Sequence, residues 1–216
     1  MAVSWGEYVA VVSPLVWIER PETIWALPRA RARELFRDFV IARAARRQQF
    51  EALLSRNGLR LSTSNAGLRD LTEWFAGMLE PDTQRPGDMK PIWYTVASDI
   101  RVVLGDELIS RCSGLRWELD VTKTMDYQQP VIAGNSLIGS RIVPREFYSA
   151  VSGYGVGELH RQGHFPAAGV VTVKSGASVD VDKALREFAK KPRRTGAFAE
   201  WVQIVELAYR DGESSV

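Results

Sequence analysis

Apolar residues recur at helical spacing over three long stretches of this chain and at strand spacing over shorter ones. Between residues 29 and 55, Ala32, Leu35, Phe36, Phe39, Ala42, Phe50, Leu53 and Leu54 fall on one stripe, the signature of a helix packed by one side. Asn57-Gly58 supplies its stop. A second helix runs from about Ser64 to Leu79, with Ser64 or Asn65 as its cap and Leu68, Leu71, Phe75 and Met78 facing inward. Pro, Gly and Asp make residues 80–89 a loop. The helix around which the chain is organised follows at 91–111, with Pro91 suited to its first turn. At about 100° per residue, Ile92, Trp93, Val96, Ile100, Val103, Leu104 and Leu108 form a broad apolar face. Glu107 falls near the middle of that face and Asp99 at its margin.

Ser113-Gly114 turns the chain into a strand, where Leu115, Trp117, Leu119 and Val121 alternate with Arg116, Glu118 and Asp120. Residues 130–133, PVIA, are its expected partner across a polar segment at 122–129. A short helix opens at Pro144 and holds Phe147, Tyr148 and Val151. Gly153, Gly155 and Gly157 then break the periodicity. A strand is expected at 169–173, and helices at 182–190 and 197–210. Near the start, β-branched residues from Val9 to Ile18 suggest one or two edge strands split by Pro14, with Trp17 and Trp25 over the core. The pattern predicts a helix-rich α+β fold with a small antiparallel sheet, as one domain over residues 1–216. Its helical layer covers about 29–111 and its sheet-containing part about 112–216.

Composition narrows the class without naming a function. The chain has 216 residues, 28 Lys and Arg against 26 Asp and Glu, a net charge of +2, and one cysteine, Cys112. A single cysteine forms neither an internal disulfide nor a cysteine zinc cage, and it reads as a small buried apolar residue. No apolar run approaches the roughly 18 residues of a membrane span. The first residues lack the basic start and small-residue cleavage site of a signal peptide. A cytoplasmic location is the expectation these features leave.

Candidate chemistry is sparse. Glu107 is the weak catalytic candidate, since a carboxylate in an apolar face takes up a raised pKa or a bonded partner. Its structural alternative is a tie to Arg116, Tyr127 or a strand backbone. His160 and His164 have metal-ligand spacing, but Gly163 and Pro166 interrupt the helix that spacing needs, so no metal and no cofactor are expected. Gly134-Asn135-Ser136 is not a nucleophile elbow, and the 153–157 glycines lack the context of a phosphate loop. The first helix is arginine-rich. Its Arg43, Arg46 and Arg47, with Lys190, Lys191, Arg193 and Arg194, are the candidate binding residues for an acidic partner.

The pattern GLRDLTEWF…PIWYTVASDIRVVLGDELISRCSGLRWELD…YQQPVIAG, over about residues 64–155, resembles a set of uncharacterised bacterial proteins. In those, a helix ending in Leu-Gly-Asp/Glu precedes a Gly-x-x-Trp strand and a Pro-Val strand. The segment also resembles small α+β immunity proteins of bacterial toxin systems. This resemblance implies the fold and a bacterial cytoplasmic setting. The expected function is that of a non-enzymatic interaction protein, of adaptor or immunity type, whose partner is another protein. Nucleic-acid association through the basic residues, or an enzyme built on Glu107, are the alternatives.

Overall fold

A computed structural model describes residues 2–9, 27–122, 127–128, 130–134, 144–166, 170–172, 178–180, 186–187, 189–190 and 192–213. The elements run in the order α1 (Arg29–Arg56), α2 (Asn65–Met78), α3 (Pro91–Arg111), β1 (Arg116–Leu119), β2 (Pro130–Ala133), α4 (Pro144–Arg161), β3 (Val170–Thr172), β4 (Ser178–Asp180) and α5 (Ala197–Glu213). The fold is helix-rich α+β, with two separate two-stranded antiparallel sheets. The starts and stops have local causes. The Ser64 hydroxyl accepts from the Gly67 N–H at 3.1 Å, and Pro91 opens α3 where its missing N–H is not needed. Asn57 closes α1 by donating its Nδ2 to the Leu53 carbonyl, and Gly58 takes φ +79° just beyond.

α3 is the centre. From Thr95 to Gly105 every residue is buried, because α1, α4 and α5 all pack on it. One core cluster joins Phe50 and Leu53 of α1, Phe75 of α2, Trp93 and Leu104 of α3, Val151 of α4 and Phe198 of α5. Helices therefore supply most of the cover expected from the sheet. The β1–β2 pair, in the register Trp117 with Ile132, sits at the C-terminal end of α3.

Its seat on α3 is a glycine. A Cβ on Gly105 would meet Trp117 Cζ2 at 2.6 Å and Cη2 at 2.9 Å, so the indole lies against bare helix backbone. The next residue, Asp106, accepts the Trp117 Nε1–H at 2.8 Å, and the Arg43 guanidinium lies 5.5 Å from the ring centroid. Leu104-Gly105-Asp106 and Gly114-x-x-Trp117 thus form one joint. Gly114 belongs to it as well, since its N–H donates to the Tyr209 hydroxyl of α5 at 3.2 Å. A Cβ there would lie 2.5 Å from that oxygen.

Three expectations differ from what is found. The helix opened by Pro144 is not short: α4 runs to Arg161 through Gly153, Gly155 and Gly157. At Gly155 a Cβ would come within 2.5 Å of Met89 Sδ and 3.1 Å of Phe75. Close packing there outweighs the roughly 1 kcal/mol that a helical glycine costs against alanine. Ala42 lies exposed rather than inward, because tight cover of α1 is confined to Ala32 near its start and to Phe50, Leu53 and Leu54 near its end. A second strand, β4, pairs with β3 where one strand is expected. The strands expected between Val9 and Ile18 lie almost wholly outside the described residues, as do Trp17 and Trp25. Of the expected 182–190 helix, Arg186, Glu187 and Ala189 are described as helical.

Alanine in place of glycine ordinarily stabilises a helix. At Gly105 the sign reverses, and Gly105→Ala is expected to lose about 1–3 kcal/mol through overpacking against Trp117. Urea unfolding followed by tryptophan fluorescence measures this, and a stabilised variant would mean the joint is loose.

Candidate functional site

Because the middle of α3 is surrounded, a polar side chain there finds a partner only on another element or on the helix itself. Asp99 is the deepest acid on the helix, 6% exposed. Arg46 reaches it from α1 with a two-pronged contact, Nε to Oδ1 at 3.1 Å and Nη2 to Oδ2. The Tyr8 hydroxyl, from the N-terminal segment, donates to Oδ2 at 2.5 Å. Arg46 also lies over the Tyr8 ring, 5.0 Å from its centroid, and donates to Gln49 Oε1 at 2.8 Å. Burial pushes the Asp99 carboxyl above the usual carboxylate range, with the Arg46 fork opposing it. Burial, reinforced by the Asp99 charge, holds the Tyr8 phenol far above its ordinary value. The arrangement keeps a carboxylate, a guanidinium and a phenol locked together.

Two residues along the helix, Arg101 has no such partner. It is 2% exposed, its Nε–H is buried without an acceptor, and its guanidinium lies 5.7 Å from the Tyr148 ring centroid of α4. Burial pushes it down from 12.5 to about 10, with the nearby Tyr148 and Asp99 opposing the shift. It remains a cation at neutral pH. Tyr148 and the neighbouring Tyr94 are both pushed up to about 12, mainly by burial.

Glu107 occupies a different setting from the one expected. Its Oε1 accepts from Arg111 Nε at 2.7 Å, one turn on, and its side chain is 13% exposed. Arg111 also donates to Asn65 Oδ1 at 2.9 Å, the Thr63 carbonyl at 2.8 Å and Glu206 Oε2 at 3.3 Å. Glu107 therefore belongs to a tie between α3, the start of α2 and α5. Arg116, expected as its partner, is 64% exposed and paired with Glu118 along the strand, and Tyr127 is half-buried elsewhere. The apolar-face argument places Glu107 deeper than Asp99 because it assumes a helix with an outer side; with α3 covered there, Asp99 is the more buried acid.

The candidate binding cations are engaged within the protein. Arg43 pairs with Asp106 at 3.0 Å, Arg46 with Asp99, and Arg47 with Glu51 at 3.0 Å. Lys190 pairs with Glu187 at 2.6 Å, and Arg194 with Glu200. Arg193 bridges Glu73 and Glu158, at 3.2 Å to each, fastening the segment before α5 onto α2 and α4. Lys191 lies outside the described residues. Charge counts along a sequence cannot reveal such pairing.

The exposed cations without a carboxylate partner among the described residues include instead Arg29, Arg33 and Arg37 of α1, as well as Arg56, Arg60 and Arg69. Arg33 and Arg37 stand over a groove of about 480 Å³, lined also by Ala30, Glu34, Phe36, Leu119 and Val121. Its apolar part is open, with Val121 40% exposed. Beside it, Val40 and Ile41 are 39% and 77% exposed on the same helix. The alternation in β1 could have placed Leu119 and Val121 on one face, but only the fold brings α1 across it.

His160 is buried and stacked on Phe165 at 5.8 Å, and His164 lies beyond the end of α4, so the two do not share a helix face. No group of His, Cys, Asp and Glu among the described residues is placed to hold a metal ion. Cys112 is buried at the end of α3. No helix among the described residues is long and apolar enough to cross a membrane. No family model matches this chain, and comparisons with curated proteins and with solved structures likewise return no similar protein.

Replacing Asp99 by Asn leaves Arg46 facing a neutral group in a buried site, so a loss of about 3–5 kcal/mol is expected. Glu107→Gln leaves Arg111 its Glu206, Asn65 and Thr63 contacts, and about 1 kcal/mol is expected. Paired urea titrations test the order, and an equal or larger loss at Glu107 would contradict it. Burial lowers the His160 pKa from 6.5, with the Gly87 backbone and Asp88 working against it. The unfolded chain therefore takes up this proton first, and stability falls as pH drops below about 6.5 towards the lowered folded value. Thermal midpoints between pH 7.5 and 5 should show this slope reduced in His160→Gln; an unchanged slope would assign it to other groups.

Proposed function

We propose that the protein works by binding another protein through the groove between α1 and the end of β1. The observation that carries this reading is the combination in one place of an apolar floor, Phe36, Leu119 and Val121, with a rim of two arginines that no carboxylate engages. A peptide segment bearing an apolar side chain next to acidic ones matches both. Support also comes from α1 itself, a 28-residue helix whose buried residues are only Ala32, Phe50, Leu53 and Leu54. Most of its surface is available to a partner. An adaptor or immunity role in a bacterial cytoplasm fits this mode of action and the resemblance of the 64–155 segment.

A nucleic-acid partner is the second reading, supported by the same cations. With Arg29, Arg33 and Arg37 as its phosphate contacts, log affinity against log salt would have a slope of about −3. The protein-partner reading, with two arginine contacts beside an apolar floor, leads to a shallower salt dependence. Affinity capture from a nuclease-treated extract of the source organism, with the wild-type chain and Arg33→Glu/Arg37→Glu, separates the two. The expected result is a stoichiometric protein retained by the wild type and reduced at least tenfold by the double variant. Retention that disappears with nuclease would replace this reading with the nucleic-acid one, and equal capture by both chains would remove the groove from it.

A further inference from the structure

The guanidiniums that tie elements together follow one pattern, and the buried Arg101 departs from it. Arg111 has Glu107 and Glu206, Arg193 has Glu73 and Glu158, and Arg43 has Asp106. Asp99 is taken by Arg46 and Tyr8. Arg101 alone among them has no ion pair among the described residues, and its Nε–H has no acceptor. The set Arg46, Asp99 and Arg101 therefore encloses one net positive charge. A buried, uncompensated charge is among the costlier features a fold can carry.

The surroundings of Arg101 suit a ligand. Its guanidinium lies over the Tyr148 ring, 5.7 Å from the centroid, and its buried Nε–H is a donor left for a planar acceptor. Tyr94, from the same side of α3, directs its hydroxyl to Asp88 Oδ1 at 3.3 Å and so does not compete for that donor. We propose that Arg101, backed by Tyr148, is a receptor for a small monocarboxylate.

Charge and burial select that class. A monoanion brings the enclosed set to neutrality, whereas a phosphate dianion would leave a buried negative charge in place of the positive one. At 2% exposure, Arg101 is beyond the reach of a carboxylate fixed to a macromolecule. This site does not depend on the α1 groove, and its test does not involve a protein partner.

The experiment is a thermal unfolding series with sodium formate and with sodium acetate. Ionic strength is balanced with morpholinoethanesulfonate, whose bulk keeps it out of a closed site. The wild-type midpoint is expected to rise saturably, by about 3–5 °C at ten times the dissociation constant, and to rise less with phosphate. Arg101→Met removes the buried charge, so its midpoint without formate should equal or exceed that of the wild type while the formate response disappears. Arg101→Lys keeps the charge without the fork and should lose most of the response; it decides the matter if the methionine variant does not fold. A wild-type midpoint that ignores formate and acetate, an equal response in the variants, or a stronger response to phosphate would each overturn the proposal.

Discussion

The middle turns of α3 are enclosed on every side and cannot give the charges of Asp99 and Arg101 to solvent, and the partly covered last turns add Asp106, Glu107 and Arg111. This requirement organises the molecule. Asp99 draws in the N-terminal segment and α1 through Tyr8 and Arg46. Asp106 holds the Trp117 indole of β1 and the Arg43 side chain of α1. Arg111 gathers the turn before α2 and the last helix. Apolar packing supplies most of the driving force, but it is indifferent to small slides of one helix over another. The directional bonds of these residues are not, and they set which segment meets which turn of α3.

Local signals made much of the helical frame legible from sequence. Ser64, Pro91 and Asn57-Gly58 mark ends where the structure has them, and the alternation around Trp117 marks β1. What escaped depended on the number of neighbours an element has. Helical-wheel reasoning gives Asp99 an exposed margin only if α3 has an outside, and covering by α1, α4 and α5 removes it. Gly155 reads as a helix breaker until Met89 and Phe75 are seen against it. Arginines such as Arg46 and Arg193 read as surface charge, although their carboxylates lie 53 and 35 residues away or more in the chain. No periodicity carries that information.

The two halves of α1 divide its labour. Its C-terminal turns bury Phe50, Leu53 and Leu54 in the core, while its N-terminal turns hold Arg33 and Arg37 beside the end of β1. Alanine and arginine dominate the outer part, and both favour helix without tertiary support. A surface built this way keeps its shape when nothing is bound, so little ordering cost is added on association.

The bond between the Tyr8 hydroxyl and Asp99 spans 91 residues of chain. Synthesis proceeds at about 5–20 residues per second, so the phenol is made roughly 5–20 s before the carboxylate it will meet. Until Asp99 is made the Tyr8 hydroxyl lacks this acceptor, and Arg46 of a nascent α1 lacks this counter-ion. The segment around Tyr8 thus leaves the ribosome well before its seat on α3 exists. That delay makes its exposure to proteases and chaperones a matter of translation speed as well as of stability.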